Sequence, residues 1–135
     1  MKIKKRYFKL TTAPKGFRTE PLITFVKADV SEGDEGDVLR AEVIAQAENQ
    51  NLIHPDDYGD WNEELMTCDE ISEEDYWSGL RANDVLDRVT SPILFNEVDG
   101  KIIIIDGNLR YNAFKTIFPN ITDEEMIEKN LLKKV

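Results

Sequence analysis

Asp106, Gly107, Asn108, Leu109 and Arg110 stand between an apolar run, Ile102 to Ile105, and a segment in which Leu109, Ala113, Phe114 and Ile117 recur at helical spacing. A strand that turns through Asp-Gly directly into a helix leaves the first backbone N–H groups of that helix without intrahelical acceptors. Those groups sit at the positive end of the helix dipole and form a ready anion site. On this reading Gly107 makes the tight turn, the N–H groups of Asn108, Leu109 and Arg110 face phosphate oxygens, and the Arg110 guanidinium neutralises charge in a bidentate way. Lys115 reaches the same pocket from the following turn. Asp106 has two readings, as a ligand of Mg²⁺ or as a helix cap. The plain alternative for the whole motif is structural: a cap, a tight turn, and an arginine paired with one of the many carboxylates.

The elements that must position these residues are legible around them. Ile93 to Val98, the dipeptide Asp99-Gly100 and the four isoleucines Ile102 to Ile105 predict a hairpin, because Asp-Gly supplies the positive φ angles of a type I′ turn. The unbroken β-branched run predicts a strand buried on both faces. Phe118-Pro119 ends the helix that follows.

The order of apolar strand, Asp106-Gly107-Asn108-Leu109-Arg110-Tyr111 and Ala-containing helix resembles the ParB/sulfiredoxin-like superfamily, whose signature is a strand, DGxHR or GxxR, and a helix. The resemblance covers about the C-terminal third of the chain. It implies an α+β fold, a small mixed β-sheet with flanking helices, and a turn that holds a nucleotide's phosphates. Leu109 stands where the signature has His, while Gly107 and Arg110 match the plainer GxxR form. Asn108 occupies the place of the sulfiredoxin nucleophilic cysteine, and Cys68 is far away in sequence, which argues against sulfinic-acid repair. The nearest text to the second ParB motif, ENxxR, is Glu128-Lys129-Asn130, a poor copy.

Length and composition set the remaining bounds. A chain of 135 residues with this apolar content is expected to fold as a single domain over 1–135. One cysteine predicts no internal disulfide and fits a reducing, cytoplasmic setting. No stretch approaches the ~20 apolar residues of a membrane span. The net charge of −10 is unevenly spread: between Asp29 and Asp87 nineteen acidic residues face only Arg40 and Arg81. Such a block repels nucleic-acid phosphates and attracts basic surfaces, so any contact with nucleic acid falls to the basic ends.

Taken in order, Lys2 to Leu10 predicts an edge strand guarded by lysines, with a basic strip on which Tyr7 and Phe8 stack bases as the functional alternative. Thr11 to Gly16 reads as a loop and Leu22 to Val30 as a strand. Val38 to Ala47 fits both a strand alternation and a helical stripe; a long hairpin with Leu22 to Val30 is slightly preferred, and a helix there would send the N-terminal strand to Ile102 to Ile105 for its partner. Asn49 to Glu70 reads as an acidic loop tacked down by Trp61, Leu65 and Met66, and its His54, Asp56, Asp57 and Asp60 lack the spacing of an established metal loop. Ser72 caps a helix carrying Tyr76, Trp77 and Leu80, and Asn83 caps a second short one. Thr122-Asp123-Glu124-Glu125 forms a capping box for a terminal helix with Met126, Ile127, Leu131 and Leu132 on its apolar side.

Two functions follow as expectations. One is binding of a nucleotide or nucleic-acid phosphate at Gly107 to Arg110, with weak nucleotide hydrolysis as an accompanying activity. The other is a non-catalytic acidic interaction protein, an inhibitor or DNA mimic of the kind that phages and mobile elements encode, in which residues 29–87 occupy a basic protein surface.

Overall fold

The computed structural model describes residues 2–12, 21–54, 66–88 and 91–135. Elements run in the order β1 (Ile3–Thr12), β2 (Leu22–Ser31), α1 (Gly36–Asn49), β3 (Met66–Ile71), α2 (Glu73–Arg88), β4 (Ile93–Val98), β5 (Lys101–Asp106), α3 (Asn108–Ile117), α4 (Asp123–Glu128) and β6 (Leu132–Lys134). The protein is α+β, and it divides into two compact units, residues 1–77 and 78–135, with one three-stranded sheet in each.

In the first unit the strand order is β2-β1-β3, all antiparallel. The N-terminal strand is therefore central and not an edge, and its partners are β2 and β3, not the isoleucine run. Period-two alternation sends Phe8, Leu10 and Thr12 into the core, where Val26, Ala28 and Val30 of β2 and Met66 of β3 meet them. Phe8 is fully buried, and Tyr7 on the opposite face stacks on Tyr76 at 5.1 Å between ring centroids. The pair thus forms no base-stacking strip. Burial, and then the neighbouring Glu73 carboxylate, push the Tyr7 phenol above its ordinary value.

Residues 38–47 lie within helix α1 and not in the second arm of a hairpin. The stripe that decides is Val43, Ile44 and Ala47, which are buried against the sheet, while Ala41 and Ala45 are exposed. Alanine, glutamate and glutamine favour helix over strand. The helix closes with Asn51 at φ 60°, and Leu52 N–H returns to the Ala47 carbonyl at 2.9 Å, a Schellman closure. α1 also treats β2 as a strand would: the Gln46 side chain accepts from Asp29 N–H at 3.0 Å and donates to the Asp29 carbonyl at 2.7 Å, and Gln50 donates to the Lys27 carbonyl. Two glutamines thereby satisfy part of an open sheet edge.

β3 takes up the end of the segment read as an acidic loop; Asp56, Asp57, Asp60, Trp61 and Leu65 lie outside the described residues. Its alternation is disguised because the third position in register with the core-facing residues of β1 is Glu70, which stays half exposed. Arg6 resolves this, donating from Nε and Nη2 to the two Glu70 carboxylate oxygens at 2.9 and 2.7 Å, and from Nη1 to the Ser31 and Asp34 carbonyls. The Arg6 side chain is only 11% exposed.

The second unit holds the predicted hairpin. β4 and β5 pair through Asp99 at φ 53° and Gly100 at φ 77°, the signs a type I′ turn requires. Ile93, Phe95, Ile102 and Ile104 pack with Tyr111 and Phe114 of α3, Met126 of α4 and Leu132 of β6. β5 is not buried on both faces: it is the outer strand, and Ile103 and Ile105 are 49% and 53% exposed. Two further expectations need correction. α2 runs continuously through Asn83, with Ser72 Oγ accepting from Asp75 N–H as the N-cap. The capping box at Thr122 and Glu125 is present, yet the helix stops at Glu128. Asn130 at φ 60° turns the chain, Leu131 N–H reaches the Met126 carbonyl, and β6 leaves parallel to β4 with Leu132 beside Ile93.

The Arg6 contact predicts both a stability loss and its pH dependence. The hydrogen bonds from Arg6 hold the Glu70 carboxyl below its ordinary value. A depressed carboxyl stabilises the fold above the unfolded-state pKa, and that share is lost as pH falls through the lower folded value. Arg6→Ala is expected to cost about 2 kcal/mol near neutral pH in denaturant melts, and Glu70→Gln to flatten the stability curve on its acidic limb only.

Candidate functional site

β5 ends at Asp106, Gly107 turns the chain, and α3 begins at Asn108. Gly107 holds φ 94°, and a Cβ there would meet the Cα of Ile93 at 3.1 Å and its Cγ1 at 3.3 Å. Only glycine supplies both the left-handed backbone and the clearance over β4. Gly107 is itself the N-cap residue, and no side chain caps the helix. Asp106 is therefore not a helix cap. The first intrahelical bond runs from Tyr111 N–H to the Gly107 carbonyl at 2.9 Å, so the N–H groups of Asn108, Leu109 and Arg110 precede the ladder.

These residues line an open depression of about 370 Å³ formed by Ile105, Asp106, Gly107, Asn108, Leu109 and Arg110. A bulge in the β4–β5 register shapes its strand side, since Phe95 faces Ile104 whereas Leu94 faces Asp106, leaving Ile105 as the extra residue. Arg110 is anchored at one end and unsatisfied at the other. Its Nη1 donates to the Ser91 carbonyl, its Cζ lies 5.3 Å from the centroid of the Phe114 ring, and its Nε is buried with no hydrogen-bond partner. Among the described residues it pairs with no carboxylate.

Lys115 is not in this lining. Its Nζ donates to the Ile121 carbonyl at 2.6 Å, lies 3.4 Å from the Asp123 carboxylate, and sits 5.5 Å from the Tyr111 ring centroid. The Tyr111 hydroxyl donates to the same Asp123 oxygen at 2.8 Å. Burial, and then that hydrogen bond, raise the Tyr111 phenol. Lys115 thus ties α3 to the start of α4. Asp106 is exposed at the turn, and among the described residues no three His, Cys, Asp or Glu side chains gather as a metal-ligand group. The single Asp106 carboxylate fits Mg²⁺ only in company with phosphate oxygens, the usual way Mg²⁺ is shared between a protein and a nucleotide.

Two features of the site lie outside the Asp106–Arg110 motif itself. The stacking of Arg110 on Phe114 has a sequence signal, their i, i+4 spacing on a helix. The Ser91 carbonyl and the bulge at Ile105 have none, because both depend on where β4 lies beside β5. Comparison with protein-family models, with curated proteins and with solved structures finds no match for this chain.

Gly107→Ala is expected to destabilise the protein by about 2 kcal/mol, from the left-handed backbone together with the encounter with Ile93. A denaturant melt checks this, and an unchanged midpoint would mean that the turn relaxes away from β4.

Proposed function

We propose that the turn from Asp106 to Arg110 binds the phosphate of a nucleotide or nucleic acid. The observation that carries this reading is the conjunction of an uncapped helix start with the Arg110 guanidinium, whose buried Nε lacks a partner at the same turn. Backbone N–H groups of Asn108, Leu109 and Arg110 receive the anionic oxygens, and Arg110, steadied by Ser91 and Phe114, supplies the compensating charge. Asp106 would hold Mg²⁺, which would supply charge neutralisation for the bound phosphates. Binding is the core of the proposal, with weak hydrolysis as its extension; the ParB/sulfiredoxin-like resemblance supports the binding more than the hydrolysis. The test is thermal melting of the protein with ribonucleotides and Mg²⁺. A ligand at a hundred times its Kd adds about 2.7 kcal/mol, which for a chain of this size is a rise of several degrees; the rise should vanish in Arg110→Ala. An equal rise in both proteins would refute the pocket.

A second reading rests on charge. Glu32, Glu35 and Asp37 before and at the start of α1, and Glu73, Glu74, Asp75, Asp84 and Asp87 along α2, are all exposed. Exposed acids of this kind would attract a basic protein partner in the manner of a DNA mimic. Affinity for a basic protein captured on this surface should fall steeply with rising salt; salt-indifferent binding would remove the mimic mechanism.

A further inference from the structure

β5 has β4 on one side and no described strand on the other. Outer strands are usually short, charged or covered, yet this one carries four isoleucines with a single charge at each end. The two-residue turn makes Val98 and Lys101 the hydrogen-bonded pair beside it. Alternation then points the backbone groups of Lys101 and Ile103 toward β4, and those of Ile102 and Ile104 outward.

The bulge determines which side chains share a face. Lys101 and Ile103 face the same way as their partners Val98 and Asn96. Beyond the bulge Asp106 is registered with Leu94, which returns it to that same face. Measured against Val98, Asn96 and Leu94 of β4, Lys101, Ile103 and Asp106 fall at equal steps, with Ile103 in the middle and Ile105 as the extra residue before Asp106. Val98, 50% exposed, continues this apolar face on β4.

That pattern is complementary to itself. A two-fold axis perpendicular to the sheet through Ile103 pairs two copies of β5 antiparallel. Lys101 of each copy then falls opposite Asp106 of the other, at both ends of the joint. Ile103 meets Ile103 across the axis, and Ile102 and Ile104 exchange backbone hydrogen bonds between copies. We propose that this protein pairs with a second copy of itself through the outer edge of β5, joining two three-stranded sheets into one of six strands. An arbitrary extended peptide would satisfy the backbone, but an antiparallel second β5 also satisfies both charges and buries the central isoleucines. The joint is short, so the dimer is weak and concentration dependent.

Sedimentation equilibrium of the full chain from micromolar to millimolar concentration tests this. The wild type is expected to shift from monomer to dimer across that range. Lys101→Asp and Asp106→Lys each place like charges opposite one another twice and are expected to weaken the dimer about tenfold. The double exchange Lys101→Asp with Asp106→Lys restores the opposition and should restore dimerisation. Ile103→Lys, at a half-exposed position, should abolish it. A wild type that stays monomeric throughout overturns the proposal, as does a dimer indifferent to Lys101→Asp and Ile103→Lys, or a double exchange no tighter than its single variants.

Discussion

The close passage of Gly107 over Ile93 governs the second unit. At 3.1 Å from where a Cβ would stand, the Ile93 backbone leaves no room for a side chain, and the φ of 94° would strain one in any case. This one contact lets α3 start immediately after β5 and lie against β4. The start of α3 then falls where Arg110 reaches the carbonyl of Ser91 while its guanidinium rests beside Phe114. Without that approach the uncapped N–H groups and the arginine would not share one depression. The depression is thus a product of backbone clearance more than of any one side chain.

The first unit depends on a different economy of polar groups. Arg6 on the central strand draws Glu70 of β3 and two carbonyls near the end of β2 to a single guanidinium. On the other side, Gln46 and Gln50 of α1 occupy backbone groups of Asp29 and Lys27 that a fourth strand would otherwise take. Hydrogen bonding by side chains therefore closes the sheet where strand pairing stops. This explains how a segment so rich in acids can still supply a strand: the half-exposed Glu70, registered beside Phe8, is met by Arg6 in a bidentate geometry.

The two sheets also differ in how they treat their faces. In the first, Phe8, Leu10, Val26 and Val30 are buried under α1, and Tyr7 packs on Tyr76 on the opposite side. In the second, α3 and α4 cover one face, while the other exposes Val98 and Ile103. Apolar area left open on a strand is costly in water.

Local chemistry was enough to read the hairpin, the Asp99-Gly100 turn, the strand from Leu22, the cap at Ser72 and the capping box at Thr122, because each is determined by residues within a few positions of one another. The same holds for the strand, Gly107 turn and helix that make up the candidate site. Only the tertiary structure decided the rest. Residues 38–47 satisfied both periodicities, and burial of Val43, Ile44 and Ala47 against β2 selected the helix. β3 was hidden because Glu70, in register with its core-facing residues, is legible there only once Arg6 is beside it. Leu131 and Leu132 continued a helical stripe, but Asn130 in the left-handed region and the vacant side of β4 turned them into β6. The isoleucine run announced a strand, yet which face it hides, and that its outer edge stays open, depend on partners elsewhere in the chain that no local pattern can name.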